Sequence, residues 1–259
     1  MKKIALFTLF AVSTILTNAQ DFQKFKIAFR VSPGTAWMKP DSKYITNEGN
    51  VLRFGFGISL DRHFTENYAF GTGLEVTRMG GSLSYLQYDK YNSVDYIMER
   101  KRDYRLQYVE VPLTLKLRTN EIGYMTYWAQ FGIIPGVNIS AKADDEIDFK
   151  FEKYVAGTGE VSFPESDEAS IMTEDEDIKD DIQIFRVGLL MAAGVEYSLS
   201  GNTAVVAGIT YNNGFTNVLN GELVTTNDAD KVIYDGSVPK ENKMKAMSNM
   251  IQLNVGIKF

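Results

Sequence analysis

The chain has 259 residues, 44% of them hydrophobic and 23% charged, with a formal charge of -6, one histidine and no cysteine. The acidic balance argues against a nucleic-acid partner, and the lack of cysteine excludes disulfides, a thiolate metal site, a cysteine nucleophile and a lipidated cysteine. A lone histidine leaves almost no room for metal or triad chemistry, so no cofactor and no metal ion are expected.

Met1-Lys2-Lys3, the apolar run Ile4 to Thr17 and the small residues of Thr17-Asn18-Ala19 read as a signal peptide over residues 1–19, cleaved after Ala19. The run is shorter than the ~20 residues of a membrane-spanning helix, and polar sequence follows directly. Losing Lys2 and Lys3 with the leader moves the formal charge from -6 to about -8. Residues 20–259 then form a single domain. No later stretch reaches ~18 uninterrupted apolar residues. The exported chain is therefore soluble, or it enters a membrane as β-structure.

The period of that domain is two. Phe25, Ile27, Phe29 and Val31 alternate with Lys24, Lys26, Ala28 and Arg30. Phe54 to Leu60 then alternate with Arg53, Gly55, Gly57, Ser59 and Asp61, and Tyr68 to Val76 with Ala69, Gly71, Gly73, Glu75 and Thr77. A fourth segment sets Val109, Val111, Leu113, Leu115 and Leu117 against Glu110, Pro112, Thr114, Lys116 and Arg118. A fifth runs from Thr126 to Ile139, a sixth from Phe185 to Tyr197, a seventh from Thr203 to Asn212 and an eighth from Ile251 to Phe259. Each is near the ~9 to 11 residues that a tilted strand needs to cross the hydrocarbon layer. A soluble sandwich or lipocalin-type barrel would put its apolar face inside. Here the small and charged face is dense in glycine, as a narrow lumen requires, and the other face is nearly free of charge. The expected fold is all-β, an eight-stranded antiparallel transmembrane β-barrel with long extracellular loops.

The joins support that reading. Those after the second, fourth and sixth segments are short, near Asp61 to Asn67, Thr119 to Gly123 and Leu199 to Asn202. Long joins run near Ser32 to Leu52, Met79 to Asp103, Ser140 to Asp181 and Gly214 to Met247. Outer-membrane barrels pair short periplasmic turns with long external loops, so both termini are expected on the periplasmic side. Tyr68, Tyr127 and Tyr197 fall near the short turns, and Trp37 and Tyr211 toward the other rim, as an aromatic girdle would.

An eight-stranded barrel is just wide enough for its inward side chains to fill it. The inward charges should therefore pair. Arg30, Glu75, Glu110 and Arg186 fall near mid-depth, with Asp61, Lys116, Arg118, Glu196 and Lys258 nearer the periplasmic end. They read as an ion-pair network filling the lumen, with a proton or ion pathway as the minor alternative. His63 sits beside Asp61 in a short turn with no serine nearer than Ser59, which suits a surface histidine better than a hydrolase base.

The loop after the fifth segment is the most acidic, with Asp144-Asp145-Glu146, Asp148, Glu174-Asp175-Glu176-Asp177 and Asp180-Asp181. It lacks EF-hand spacing and reads as a solvated, self-repelling loop bridged to lipopolysaccharide by divalent cations. Tyr85, Tyr88, Tyr91 and Tyr96, mixed with Lys90, Arg100, Lys101 and Arg102, read as a contact loop for a protein or glycan. Met244, Met247 and Met250 near Lys240, Lys243 and Lys245 read as the rim of the last strand.

The chain closes on Asn249-Met250-Ile251-Gln252-Leu253-Asn254-Val255-Gly256-Ile257-Lys258-Phe259, which looks like the C-terminal signal of outer-membrane barrels. With Tyr108-Val109-Glu110-Val111-Pro112-Leu113-Thr114-Leu115-Lys116 and Phe131-Gly132-Ile133-Ile134-Pro135-Gly136-Val137-Asn138, the chain resembles the PorT-like (porin-family) outer-membrane β-barrel domain of Gram-negative bacteria. That resemblance implies a small barrel in the cell outer membrane, among its lipids and lipopolysaccharide. It carries no catalytic or binding residue onto any position. The family's name comes from a secretion-system component, so the first expectation is a non-catalytic accessory or scaffold subunit of a larger envelope protein complex for secretion or barrel assembly. A stand-alone surface protein binding an external ligand through its loops is the alternative. A lipid-modifying barrel enzyme and a narrow channel rank below both, and no domain is expected after Phe259.

Overall fold

A computed structural model describes residues 25–91, 94–148, 153–154, 161–162, 170–227, 232–235 and 238–259. The leader assigned to residues 1–19 lies outside them. Eight long strands close into one antiparallel ring. They are β1 (Phe25–Pro40), β2 (Val51–His63), β3 (Tyr68–Tyr91), β4 (Val94–Glu110, resumed as Leu113–Arg118), β5 (Met125–Asp148), β6 (Phe185–Ser200), β7 (Thr203–Gly214) and β8 (Ala246–Lys258). Each pairs with its successor, and β8 returns to β1 from Ala28↔Lys258 to Pro40↔Ala246, so the ring has no free edge. Val111-Pro112 interrupts β4 because proline has no N–H for the ladder. The Val111 N–H still bonds the Pro135 carbonyl, which holds the wall together across the gap.

The lower part of the ring carries its apolar side chains outward. Phe29, Phe56, Leu74, Phe131, Ile209 and Leu253 are all about half exposed. Inside are Arg30, Asp61, Glu75, Glu110, Lys116, Arg186, Glu196 and Lys258, with glycine wherever two strands come too close for a side chain. The joins at this end are tight, and Gly123 and Gly201 supply the left-handed backbone at φ 67° and 55°. Tyr68, Tyr124, Tyr127 and Tyr197 ring this end on the outside, with Phe64 stacked on Tyr68 at 6.3 Å.

Toward the other end the polarity inverts. Inward positions change from Glu75 and Thr77 to Met79, Leu83 and Tyr85 on β3, and from Glu110 to Tyr108, Leu106 and Tyr104 on β4, all buried except Glu75. Outward positions change from Val76 to Arg78, and from Val109 to Gln107 and Arg105. On β5 a bulge opposite Gln107/Tyr108 switches the facing, so that exposed Ile139 is followed by inward Ala141, Ala143 and Asp145. An apolar exterior marks the lipid-facing band, and an apolar interior with a polar exterior marks walls built for water.

The long joins expected at this end are present, and among the described residues much of their length is strand. Met79 to Asp103 is an antiparallel hairpin in register from Glu75↔Glu110 to Tyr91↔Val94. Residues Ile45–Gly49 add a strand against β3, and Ser170–Asp177 add one against β5. The last join folds inward, placing Val218, Leu219, Leu223 and Met244 beside Met38, Leu106, Ile178, Ile182 and Met250 in one buried cluster. Met244 is therefore a core residue of the cap, and Met250 an inward residue of β8 packed in the same cluster. Asn217 fastens the cap, since its side-chain amide donates to the Leu219 and Met244 carbonyls at 2.7 and 3.2 Å while its oxygen accepts from Ala246 N–H.

Candidate functional site

At mid-depth the lumen holds two ion pairs. Arg30 on β1 meets Glu75 on β3, and Arg186 on β6 meets Glu110 on β4. The Arg186 guanidinium also donates to Asn212 Oδ1 at 3.1 Å and to the Ser248 carbonyl at 3.0 Å, and lies 5.6 Å from the Tyr108 ring. Both partners of this pair are wholly buried. A buried charge is tolerated only when it is paired and hydrogen-bonded, and here one guanidinium binds β4, β7 and β8 together across the barrel.

Nearer the short turns a second group collects around Glu196. Its carboxylate accepts from Lys116 at 3.1 Å, from Arg118 at 3.0 Å and from Lys258, while Lys116 also reaches Asp61 at 2.6 Å. Lys116 sits 4.9 Å from the centre of the Trp128 ring, which lies across the lumen in space left by Gly194 and Gly208. A Cβ at either glycine would come within 2.7 Å of that indole. His63 faces Arg118 at 3.2 Å, and among the described residues it has no serine hydrogen-bond partner. Charge pairs, an indole and a buried cap occupy the bore in sequence.

The acidic stretch of residues 144–181 is corrected on two counts. Its described residues are largely strand, and among them Asp144, Asp145, Glu146, Asp175, Glu176 and Asp181 face cations rather than one another. β4 and β5 align Lys101 with Glu146, Arg102 with Asp145 and Arg105 with Lys142. Arg102 forms a bidentate pair with Asp145 at 2.6 and 2.7 Å and reaches Asp181 at 2.8 Å, while Arg100 also contacts Asp145 at 3.1 Å. Arg105 bonds Asp144 at 2.7 Å and Asp175 at 3.0 Å. The basic run of one strand thus neutralises the acidic run of the next, and the fork-shaped Arg102–Asp145 pair holds the register above the membrane band.

The tyrosine contact loop is corrected in part. Tyr85 is buried and its hydroxyl meets that of Tyr104 at 3.4 Å, because β3 keeps the inward facing of Glu75 and Thr77 as far as this residue. Burial pushes the pKa of both phenols up, so both stay protonated. Tyr88 is half-buried in the same hairpin. The side chains of Tyr91 and Tyr96 lie outside the described residues. Arg100 and Arg102, grouped with these tyrosines by sequence, are committed to Asp145.

Sequence reasoning missed an outward groove of about 620 Å³ running across β2 to β5 at the height where the exterior turns polar. It is lined by Leu52, Arg53, Phe54, Arg78, Arg105 and Lys142, with Gln107, Ser140 and Asp175. Its signal in the sequence was a cation or a polar group just beyond the last outward apolar residue of successive strands.

The family described as outer membrane protein beta-barrel domain matches residues 18–220. No curated protein matches the chain. Among solved structures, Neisserial surface protein A is 14% identical, with 91% of this chain and 96% of that one covered and a TM-score of 0.40. Ail, the attachment invasion locus protein of Yersinia pestis, is 14% identical over 90% of this chain and 98% of its own, with a TM-score of 0.33. The outer membrane protein OprG from Pseudomonas aeruginosa is 10% identical over 90% and 95%, with a TM-score of 0.41.

Proposed function

The chain belongs to the outer membrane protein β-barrel domain family, and on that premise we propose that it is a closed, non-catalytic barrel that works as a stand-alone surface protein, binding through its projecting end. The observation that carries this reading is the polarity inversion. The ring strands β1, β3, β4, β5 and β8 continue past the lipid-facing band into a walled structure with its own apolar core, closed by Leu219, Leu223 and Met244. A chain that needed only to span the membrane would end its strands at the boundary. The paired lumen and the cap argue against a channel, and His63 against a hydrolase. Cleavage after Ala19, periplasmic termini and kinship with the PorT-like barrels, resting on Tyr108 to Lys116, belong to the same proposal.

The test is a mild-detergent pull-down of the full chain from native outer membranes, with mass spectrometry of what stays bound. A monomer free of envelope proteins supports the stand-alone reading. A stoichiometric set of larger envelope proteins would replace it with the accessory-subunit reading.

A further inference from the structure

We infer that the outward groove over β2 to β5 binds the phosphate groups of an outer-leaflet glycolipid of the lipopolysaccharide class. Three observations meet there. The first is charge: Arg53, Arg78, Arg105 and Lys142 line one concavity; Asp103 pairs with Arg53, Asp144 with Arg105, and Asp175 with Arg105 and Lys142, so the charge left over is that of Arg78, exposed and with no ion-pair partner among the described residues. Phosphate oxygens accept strongly from such donors, and guanidinium forks match their geometry.

The second observation is height. Going toward the short turns, the outward residue next to Arg78 is Val76, next to Gln107 is Val109, and next to Ser140 is Ile139, while Leu52 and Phe54 close the groove on β2. A ligand with its phosphate on Arg78 and Arg105 can therefore lay acyl chains down the apolar wall. An acidic peptide has no use for that wall, whereas a lipid headgroup needs both. At about 620 Å³ the groove falls within the size range of small-ligand sites and can take a sugar-phosphate unit.

The third is asymmetry around the rim. On the opposite side of the ring the same height carries Trp37 stacked on Tyr211 at 6.3 Å, with exposed Phe185 and Phe215. That arc suits general interfacial lipid, and the cationic arc selects charge. Asp175 sits in the groove between Arg105 and Lys142, its backbone left-handed at φ 60°. Its hydrogen bond from Lys142 holds its carboxyl below the usual range, so it is an ionised competitor for the same cations.

The inference rests on the reading that the projecting end faces outward, and two experiments separate the two. The full chain, purified in detergent, is titrated with bisphosphorylated lipid A and with dephosphorylated lipid A, and binding is read by native mass spectrometry. The phosphorylated lipid should bind about tenfold or more tighter, an advantage the double variant Arg78→Ala/Arg105→Ala should abolish. Arg62→Ala, at the opposite end, should leave it intact. Asp175→Asn should tighten binding, an effect of opposite sign that simple misfolding does not produce. Equal binding of both lipids, or a double variant that keeps the preference, overturns the inference. Separately, Lys101→Cys is labelled on intact cells with a membrane-impermeant maleimide. A labelled thiol without phosphate preference in detergent sinks the site alone, and phosphate preference with an unlabelled thiol sinks the outward orientation and the outer-leaflet assignment.

Discussion

Removing the Arg186 guanidinium tests whether the lumen is held by charge pairing or merely filled by it. In Arg186→Met the Glu110 carboxylate keeps its full burial and loses its cationic partner, and Asn212 and the Ser248 carbonyl lose a donor. Leaving one member of a buried pair uncompensated costs about 3–5 kcal/mol. Glu110→Gln leaves Arg186 with Asn212, Ser248 and the Tyr108 ring, so its cost should fall nearer the roughly 1.5–3 kcal/mol of a lost charged hydrogen bond. The double variant Arg186→Met/Glu110→Gln strands no charge, and should be more stable than Arg186→Met alone by more than about 1 kcal/mol. The assay is equilibrium urea unfolding of the barrel reconstituted in lipid vesicles, followed by heat-modifiable gel mobility and tryptophan emission. Strict additivity of the two single changes, or a cost for Arg186→Met below about 1 kcal/mol, would refute the claim that the pair acts as one unit.

In the cluster near the short turns, Glu196→Gln should destabilise by about 3 kcal/mol or more, since three cations depend on that carboxylate, whereas Lys258→Met leaves it two partners and should cost clearly less; the same unfolding assay ranks them. Gly208→Ala would drive a methyl against both the Trp128 indole and the Ala193 carbonyl, and the expected outcome is a shifted emission maximum together with a lower unfolding midpoint. Leu219→Ala removes a fully buried cap residue and should loosen the cap by about 2–5 kcal/mol. Limited proteolysis within residues 225–240 should quicken while the lipid-embedded strands unfold at the same urea concentration. Phe131→Arg, outward at the middle of the apolar band, should cost about 2–4 kcal/mol in vesicles, and Gln107→Arg close to nothing. Equal costs at the two positions would erase the membrane boundary drawn here.

The eight strands were legible because the lipid imposes one rule on all of them: apolar outward, small or charged inward, over the same depth. Phe25 to Val31 or Phe54 to Leu60 can be read without knowing any partner strand. Above the boundary that rule lapses, while the facing on β3 continues. Met79, Leu83 and Tyr85 share the inward facing of Glu75 and Thr77, but with apolar residues now inside they resemble a loop to a reader expecting grease outside. On β5 the bulge after Ile139 resets the alternation, so Ala141, Ala143 and Asp145 looked like the start of a solvated acidic run. The pairing that stabilises it, Arg102 with Asp145, spans 43 residues of sequence and appears only once the strands are in register. The two halves of the barrel therefore draw on different sources of stability. The lower half needs the bilayer to cover its exterior, and the upper half buries its own apolar cluster and would keep it in water. A chain built this way can change its outer surface, the groove included, without disturbing the residues that insert and close the ring.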